Sequence, residues 1–130
     1  MIEQTRHWLD PFPGALELYN DALAKHKHGV FQRNVLDDLR LSLEKAIQDL
    51  LGNSRSLENQ IPAVGEFVKA RGGSPEFTNM FVKLIEYYTK YQNTYVKQDD
   101  AVVEEEVEFV IELTSSFVKH LVRLSQHGAV

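Results

Sequence analysis

Three lysines recur at seven-residue intervals in the second half of the chain. They are Lys83, Lys90 and Lys97, and Tyr87 falls between the first two on the same side of a helix. Cationic side chains can contact phosphates and an aromatic ring can stack on a base, so this strip predicts binding of single-stranded RNA. The alternative interpretation is a solvated helix face with one exposed tyrosine, which requires no ligand.

The other chemistry-bearing residue types do not form a site. The chain has no cysteine, and no histidine follows a glutamate at the Glu-x-x-His spacing that di-metal helical bundles use. Glu105, Glu108 and Glu112 share one side of a predicted helix, which we interpret as a solvated acidic face. The Gly-Gly pair at 72–73 lacks the Lys-Ser/Thr of a phosphate loop and is expected to be a turn. We therefore expect no metal and no cofactor.

Alternating charges mark one edge of the second predicted helix. Arg33, Asp37, Arg40 and Glu44 are spaced at i, i+4, i+7 and i+11. This spacing permits a ladder of ion pairs beside a stripe of leucines. We interpret the ladder as structural.

Glycine and proline divide the first half of the chain into segments of helical period. The first predicted helix begins after residues 11–13 and ends near Lys27, and the second runs from Val30 or Phe31 to Leu51. The apolar stripe of the second helix consists of Leu36, Leu39, Leu43, Ile47 and Leu50. Residues 53–73 predict a broken helix, in which Ser56 caps a short turn and Pro62 lies in the first turn of a piece that ends at Arg71.

Two further helices complete the predicted fold. Residues 74–76, Ser-Pro-Glu, are a start signal for a helix with one apolar face. That face consists of Phe77, Met80, Phe81, Leu84, Tyr88, Tyr91 and Tyr95. The last helix is expected to begin near Ala101 and to end at Gly128, with a seven-residue rhythm formed by Val103, Val107, Val110, Thr114, Phe117, Leu121 and Leu124. These elements predict an all-α fold, an antiparallel four-helix-type bundle with an additional short or broken helix.

Length and composition agree with one globular domain spanning residues 1–130. The 14 basic and 19 acidic side chains give a net charge of 14 − 19 = −5, which argues against a strongly basic nucleic-acid binder. The sequence shows no signal-peptide pattern and no apolar run long enough to cross a membrane. Together with the lack of cysteine, this predicts a cytoplasmic protein without membrane association.

One segment resembles a known family. Residues 87–100, YYTKYQNTYVKQDD, lie at the end of one predicted helix and just before the next. With RNVLDDLRLSLEKAI (residues 33–47) and SLENQ (residues 56–60), this segment resembles HEPN domains (higher eukaryotes and prokaryotes nucleotide-binding). The resemblance is to members associated with bacterial abortive infection and toxin–antitoxin systems, and it covers nearly the whole chain. It implies a helical bundle.

Many HEPN proteins are metal-independent endoribonucleases with an Arg and, a short way further along the chain, a His. In such a site the imidazole moves protons while a 2′-hydroxyl attacks the adjacent phosphate. The matching positions here hold Gln92 or Asn93 in place of the Arg and Gln98 in place of the His. Because an amide does not titrate, Gln98 predicts an inactive or attenuated nuclease. The chain is then either a non-catalytic relative or one in which a His has been replaced.

The resemblance also implies partners and a site. We expect a homodimer that acts on RNA, with an antitoxin or partner domain, and a phosphate site formed by Gln92, Asn93, Lys97 and Gln98 and supported by Tyr91 or Tyr95. Two alternatives stay open: a non-enzymatic helical module for dimerisation or partner docking, and a nucleotide-binding HEPN domain without cleavage. The same amides can also simply cap the carbonyls at a helix end, which requires no function.

Overall fold

The computed structural model describes residues 2–28, 32–91 and 104–126. Within these ranges the chain forms six α-helices and one short 3-10 helix, and no β-strand. The α-helices are α1 (Ile2–Leu9), α2 (Pro13–Lys27), α3 (Gln32–Leu51), α4 (Ile61–Ala70), α5 (Pro75–Tyr91) and α6 (Glu104–Gln126), and the 3-10 helix, Glu58–Gln60, directly precedes α4. The predicted all-α bundle is confirmed.

Helices α2 and α3 pack against each other as an antiparallel pair. Ser42 donates a hydrogen bond of 2.7 Å to the Ala15 carbonyl at one end of the pair, and Lys25 lies 2.6 Å from the Asp38 carboxylate at the other. That hydrogen bond to Asp38 also raises the pKa of Lys25 above its ordinary value. The predicted stripe of α3 is confirmed, because four of its five members are buried and Leu50 packs against the core.

Helix α6 contacts four other helices, α1, α2, α3 and α5. Its buried positions include Val107, Val110, Thr114, Phe117 and Leu121, as the seven-residue rhythm predicts. The rings of Phe81 and Phe117 lie 6.0 Å apart between α5 and α6, with the Tyr88 and Thr114 hydroxyls in a buried hydrogen bond nearby. Helix α6 also contacts α3 and α1. Burying each large apolar side chain stabilises the fold by roughly 1.5–3 kcal/mol.

The predicted breaks between helices are largely confirmed. The Ser74 hydroxyl accepts a hydrogen bond of 3.3 Å from the Phe77 amide at the start of α5, and Pro62 lies in the first turn of α4. The short turn near Ser56 is also present, but the Leu57 amide donates to the Glu44 carboxylate of α3. A tertiary contact therefore performs the capping that the sequence assigns to Ser56.

Helix α1 was missing from the sequence-based prediction. Its eight residues bury Leu9 and Thr5 and pack against α6, where Lys119 donates to the Gln4 side chain over 2.8 Å. A helix this short shows barely two periods of an apolar pattern, so periodicity does not reveal it. The predicted end of the first long helix near Lys27 is confirmed, whereas the predicted starts at Val30 or Phe31 and near Ala101 and the predicted end at Gly128 lie outside the described residues. No helix in the described ranges combines the length and the hydropathy that crossing a membrane requires.

Candidate functional site

The predicted RNA strip is described along α5 only. The Lys83 side chain is 80% exposed and its Nζ lies 3.4 Å from the Glu86 carboxylate, while Lys90 is exposed near the end of the helix. Tyr87, between them, is half-buried and packs against the core. The two lysines are therefore accessible to a ligand, whereas the tyrosine ring is partly committed to packing within the protein.

Most of the residues that the family resemblance assigns to the site lie outside the described part of the chain. These are Gln92, Asn93, Tyr95, Lys97 and Gln98. Tyr91 is the last residue of α5, and its side chain is also outside the description. The phosphate site that the resemblance assigns to residues 92–98 therefore stays a prediction from the sequence. The structure describes only the part of the lysine strip that lies on α5.

The SLENQ segment (residues 56–60), which contributes to the family resemblance, packs two of its side chains into the interior of the protein. Leu57 and Gln60 of the SLENQ segment are fully buried. The Gln60 amide donates to Asn53 Oδ1 over 2.6 Å and to the Arg55 carbonyl over 3.2 Å, and Asn53 donates back to Gln60 Oε1 over 3.0 Å. These hydrogen bonds fix the loop between α3 and α4. They therefore help to hold the bundle together.

The predicted charge ladder of α3 is extended by a contact with the 3-10 helix. Arg40 lies 4.0 Å from Glu44 on the same helix but only 2.6 Å from the Glu58 carboxylate. Partial burial is the largest single effect and raises the pKa of Glu58, but the hydrogen bond from Arg40, a backbone hydrogen bond and the charge of Arg40 together bring the pKa below its ordinary value. The Arg33 side chain is outside the description. The structural interpretation of the ladder agrees with these contacts.

Two histidines in the described part of the chain contact side chains of neighbouring helices. His26 lies 3.4 Å from the exposed Glu108 carboxylate, and the His120 ring packs 4.4 Å from the Phe77 ring. Burial and the neighbouring Arg123 lower the pKa of His120. Glu112 is exposed, in agreement with the predicted acidic face. Within residues 2–28, 32–91 and 104–126, no group of three His, Asp or Glu side chains could hold a metal ion.

The Gly-Gly pair at 72–73 forms the turn between α4 and α5, as predicted. Gly72 has a φ of +76°, a conformation that favours glycine, and the Gly73 amide donates to the Val68 carbonyl over 2.8 Å. A Cβ on Gly73 would lie 2.5 Å from Val68 Cγ1. Close approach of the backbone to α4 therefore explains this glycine without a phosphate ligand.

An apolar groove between α5 and α6 is a feature that sequence reasoning missed. It has a volume of about 300 Å³ and is lined by Met80, Lys83, Leu84, Tyr87, Phe109, Val110, Leu113 and Phe117. Met80 and Phe109 are 57% and 61% exposed, although the sequence predicts Met80 on the core face of its helix. The Met80 prediction is wrong because the core is filled by Phe81 and Leu84, and the Met80 side chain is left at the edge of the groove.

The sequence did carry one signal for this groove. Phe109 follows Glu108 and lies outside the apolar rhythm of α6, within the segment predicted to be an acidic face. A large aromatic residue on a polar helix face is a candidate contact for another molecule. Among the described lining residues Lys83 is the only charged one, so these residues can bind an apolar surface but offer no pair of groups for acid–base chemistry.

Comparison of this chain with protein-family models, curated proteins and solved structures finds no match.

Proposed function

We propose that the chain is a HEPN-like helical domain of the antiphage-defence or toxin type, which acts on RNA in the cytoplasm as a homodimer. Its cleavage activity is attenuated because Gln98 occupies the position of the motif His. The structural observation that supports this proposal is the exposed Lys90 at the end of α5. From there the chain continues directly into residues 92–98, which carry the family resemblance, and the all-α bundle is the fold that the resemblance implies.

The chemistry of the proposed site follows from the residue types. Cleavage of RNA requires removal of a proton from the 2′-hydroxyl as it attacks phosphorus, and donation of a proton to the departing 5′-oxygen. Lys90 and Lys97 can offset phosphate charge, and the amides of Gln92 and Asn93 can hydrogen-bond phosphate oxygens. Gln98 can do the same but cannot exchange a proton at neutral pH. The site is therefore expected to bind RNA but to cleave it poorly.

The experiment that tests this proposal is the Gln98→His substitution. Cleavage of single-stranded RNA is measured in EDTA for the chain as it stands and for the variant, and the toxicity of expressing each is recorded. We expect metal-independent cleavage and growth inhibition from the variant only, because the imidazole supplies the missing proton transfer. Gln98→Asn keeps the amide and is the matched control, which should stay inactive.

Two results would contradict the proposal in different ways. If both the chain and its Gln98→His variant are folded and inert, the ribonuclease assignment fails. If the chain with Gln98 already cleaves RNA at the rate of the variant, position 98 does not perform acid–base catalysis.

A second candidate function is supported by the apolar groove between α5 and α6. Met80 and Phe109 are large apolar side chains exposed on the surface, and a non-enzymatic interaction module can bind a partner through such residues. In that case Phe109→Gln changes partner capture or oligomeric state, and Gln98→His creates no nuclease. Phe109 is largely exposed, so this substitution removes the contact surface with little loss of core packing.

A further inference from the structure

The groove between α5 and α6 has an apolar floor. Leu84, Val110 and Phe117 are buried in it, while Tyr87 and Leu113 are half-buried at its sides. Met80 on α5 and Phe109 on α6 project from opposite sides with more than half of their surface exposed. Covering two such side chains releases water from apolar surface, which favours association with another apolar surface.

Exposed residues of opposite charge lie on the two helices that border the groove. On α5 the groove lining includes Lys83, which is 80% exposed and, among the described residues, contacts the exposed Glu86 at 3.4 Å. On α6 the exposed Glu112 immediately precedes the groove residue Leu113. Exposed pairs such as Lys83–Glu86 contribute little to stability, so the lysine can exchange this partner for another carboxylate.

Lys83 and Glu112 lie at a similar height along the groove. Phe77 contacts His120, and Phe81 contacts Phe117, so α5 and α6 run antiparallel. Continuing this register along α5 brings Lys83 within about one helical turn of the level of Glu112. Lys83 and Glu112 therefore lie at about the same level, one on each of the two helices that border the groove.

We propose that a second copy of this chain docks on the groove, in a dimer whose twofold axis runs along it. This axis places α5 of one copy over α6 of the other, so that Lys83 faces Glu112 of the partner subunit twice per dimer. Met80 and Phe109 of each copy then cover the apolar floor of the other. An axis across the groove would instead set lysine against lysine and glutamate against glutamate, which costs free energy.

This inference rests on the homodimer of the proposed function and assigns its interface to the groove, but it does not depend on RNA cleavage, so cleavage and dimerisation can fail separately. It is tested by sedimentation of the full chain without RNA over a wide concentration range. We expect a dimer that Phe109→Gln converts to a monomer. Lys83→Glu and Glu112→Lys should each raise the dimer dissociation constant by roughly tenfold or more, because both copies of the pair become repulsive. Glu17→Lys on α2 and Lys69→Glu on α4 are matched charge controls on other exposed surfaces and should leave it unchanged.

A double variant with the two charges exchanged tests the direction of the proposed twofold axis. Lys83→Glu combined with Glu112→Lys restores opposite charges in the proposed arrangement, so the double variant should dimerise like the original chain. An equimolar mixture of the two single variants should also dimerise. A double variant as weak as the single ones overturns the proposed axis. A monomeric original chain, or a dimer indifferent to Phe109→Gln in a variant that keeps its helical circular dichroism, overturns the proposal itself.

Discussion

The Tyr19 hydroxyl lies 2.9 Å from the Ser115 hydroxyl and joins α2 to α6 inside the core. Ser115 also donates a hydrogen bond of 2.7 Å to the Ile111 carbonyl, so its single hydrogen is in use and Tyr19 is the donor in the pair. Both residues are only 1% exposed, and neither hydroxyl can exchange its partner for bulk water.

Because Tyr19 is the donor, removing its hydroxyl and removing the Ser115 hydroxyl should lower the free energy of unfolding by different amounts. Tyr19→Phe should lower the free energy of unfolding by about 1 kcal/mol, because Ser115 keeps its bond to Ile111. Ser115→Ala should cost about 2 kcal/mol, since it leaves a buried tyrosine hydroxyl without an acceptor. Urea denaturation of the two variants and of the double variant measures the coupling. Costs that simply add would contradict the hydrogen bond between the two hydroxyls.

Gln60 is the polar residue on which the loop between α3 and α4 depends most. It is fully buried and its amide joins Asn53 and the Arg55 carbonyl. Gln60→Ala should lower the free energy of unfolding by about 2–4 kcal/mol, because it leaves a cavity and unpaired polar groups. Asn59→Ala is the control: this neighbour is exposed and bonds only to Ser56 among the described contacts. The control should change stability by no more than about 0.5 kcal/mol, and an equal loss in both variants would refute the special role of Gln60.

The ion pair between Arg40 and Glu58 makes stability depend on pH. The pKa of Glu58 is lower in the folded protein than its ordinary value of 4.5. Its stabilising contribution is therefore complete above that ordinary value and is lost as the pH falls through the folded pKa. Because the Glu58 side chain is 44% exposed, the contribution is small and is screened by salt.

Glu58→Gln is the substitution that reveals this dependence. At neutral pH the variant should be less stable than the original chain, and the difference should shrink as the pH falls from about 5 to about 3. Urea midpoints measured at low salt across this range provide the test. The exposed Glu17→Gln is the control and should show no such convergence. A difference for Glu58→Gln that stays constant with pH would mean that Arg40 does not control the titration of Glu58.

Local sequence signals located most of the helices, because their apolar periods are long and their starts carry recognisable caps. Ser74 illustrates this, since the predicted cap is the observed one. The same local signals do not predict contacts between residues that are distant in the sequence. Arg40 is paired most closely with Glu58, eighteen positions away, rather than with Glu44 on its own helix. Tertiary packing decides which of several possible partners comes within reach.

The groove between α5 and α6 shows a second limit of prediction from the sequence. Met80 fits the apolar period of α5, yet it is exposed because Phe81 and Leu84 fill the space beside α6. A period of 3.6 residues specifies a broad face and not which member of that face reaches the core. The proposed RNA site consists mainly of residues 92–98, which lie outside the described residues, so its prediction rests on the sequence.

Lys90 offers a test of the RNA proposal that needs no cleavage. It is exposed at the end of α5, two positions before Gln92, and in the proposed site it contacts a phosphate. Binding of a fluorescently labelled single-stranded RNA to the chain as it stands is measured by anisotropy in a salt series. Lys90→Ala should weaken binding several-fold and reduce the slope of log K against log salt concentration by about 0.7, the value for one phosphate contact to a single strand.

The matched control for this measurement is Lys69→Ala on α4, another exposed lysine far from the predicted site in the sequence. It should leave both the affinity and the salt slope nearly unchanged. If the two variants weaken binding equally, the RNA is attracted by the lysines of the whole surface rather than held at the end of α5. With a net charge of −5 such general attraction is weak, so an effect confined to Lys90 would favour a local phosphate site.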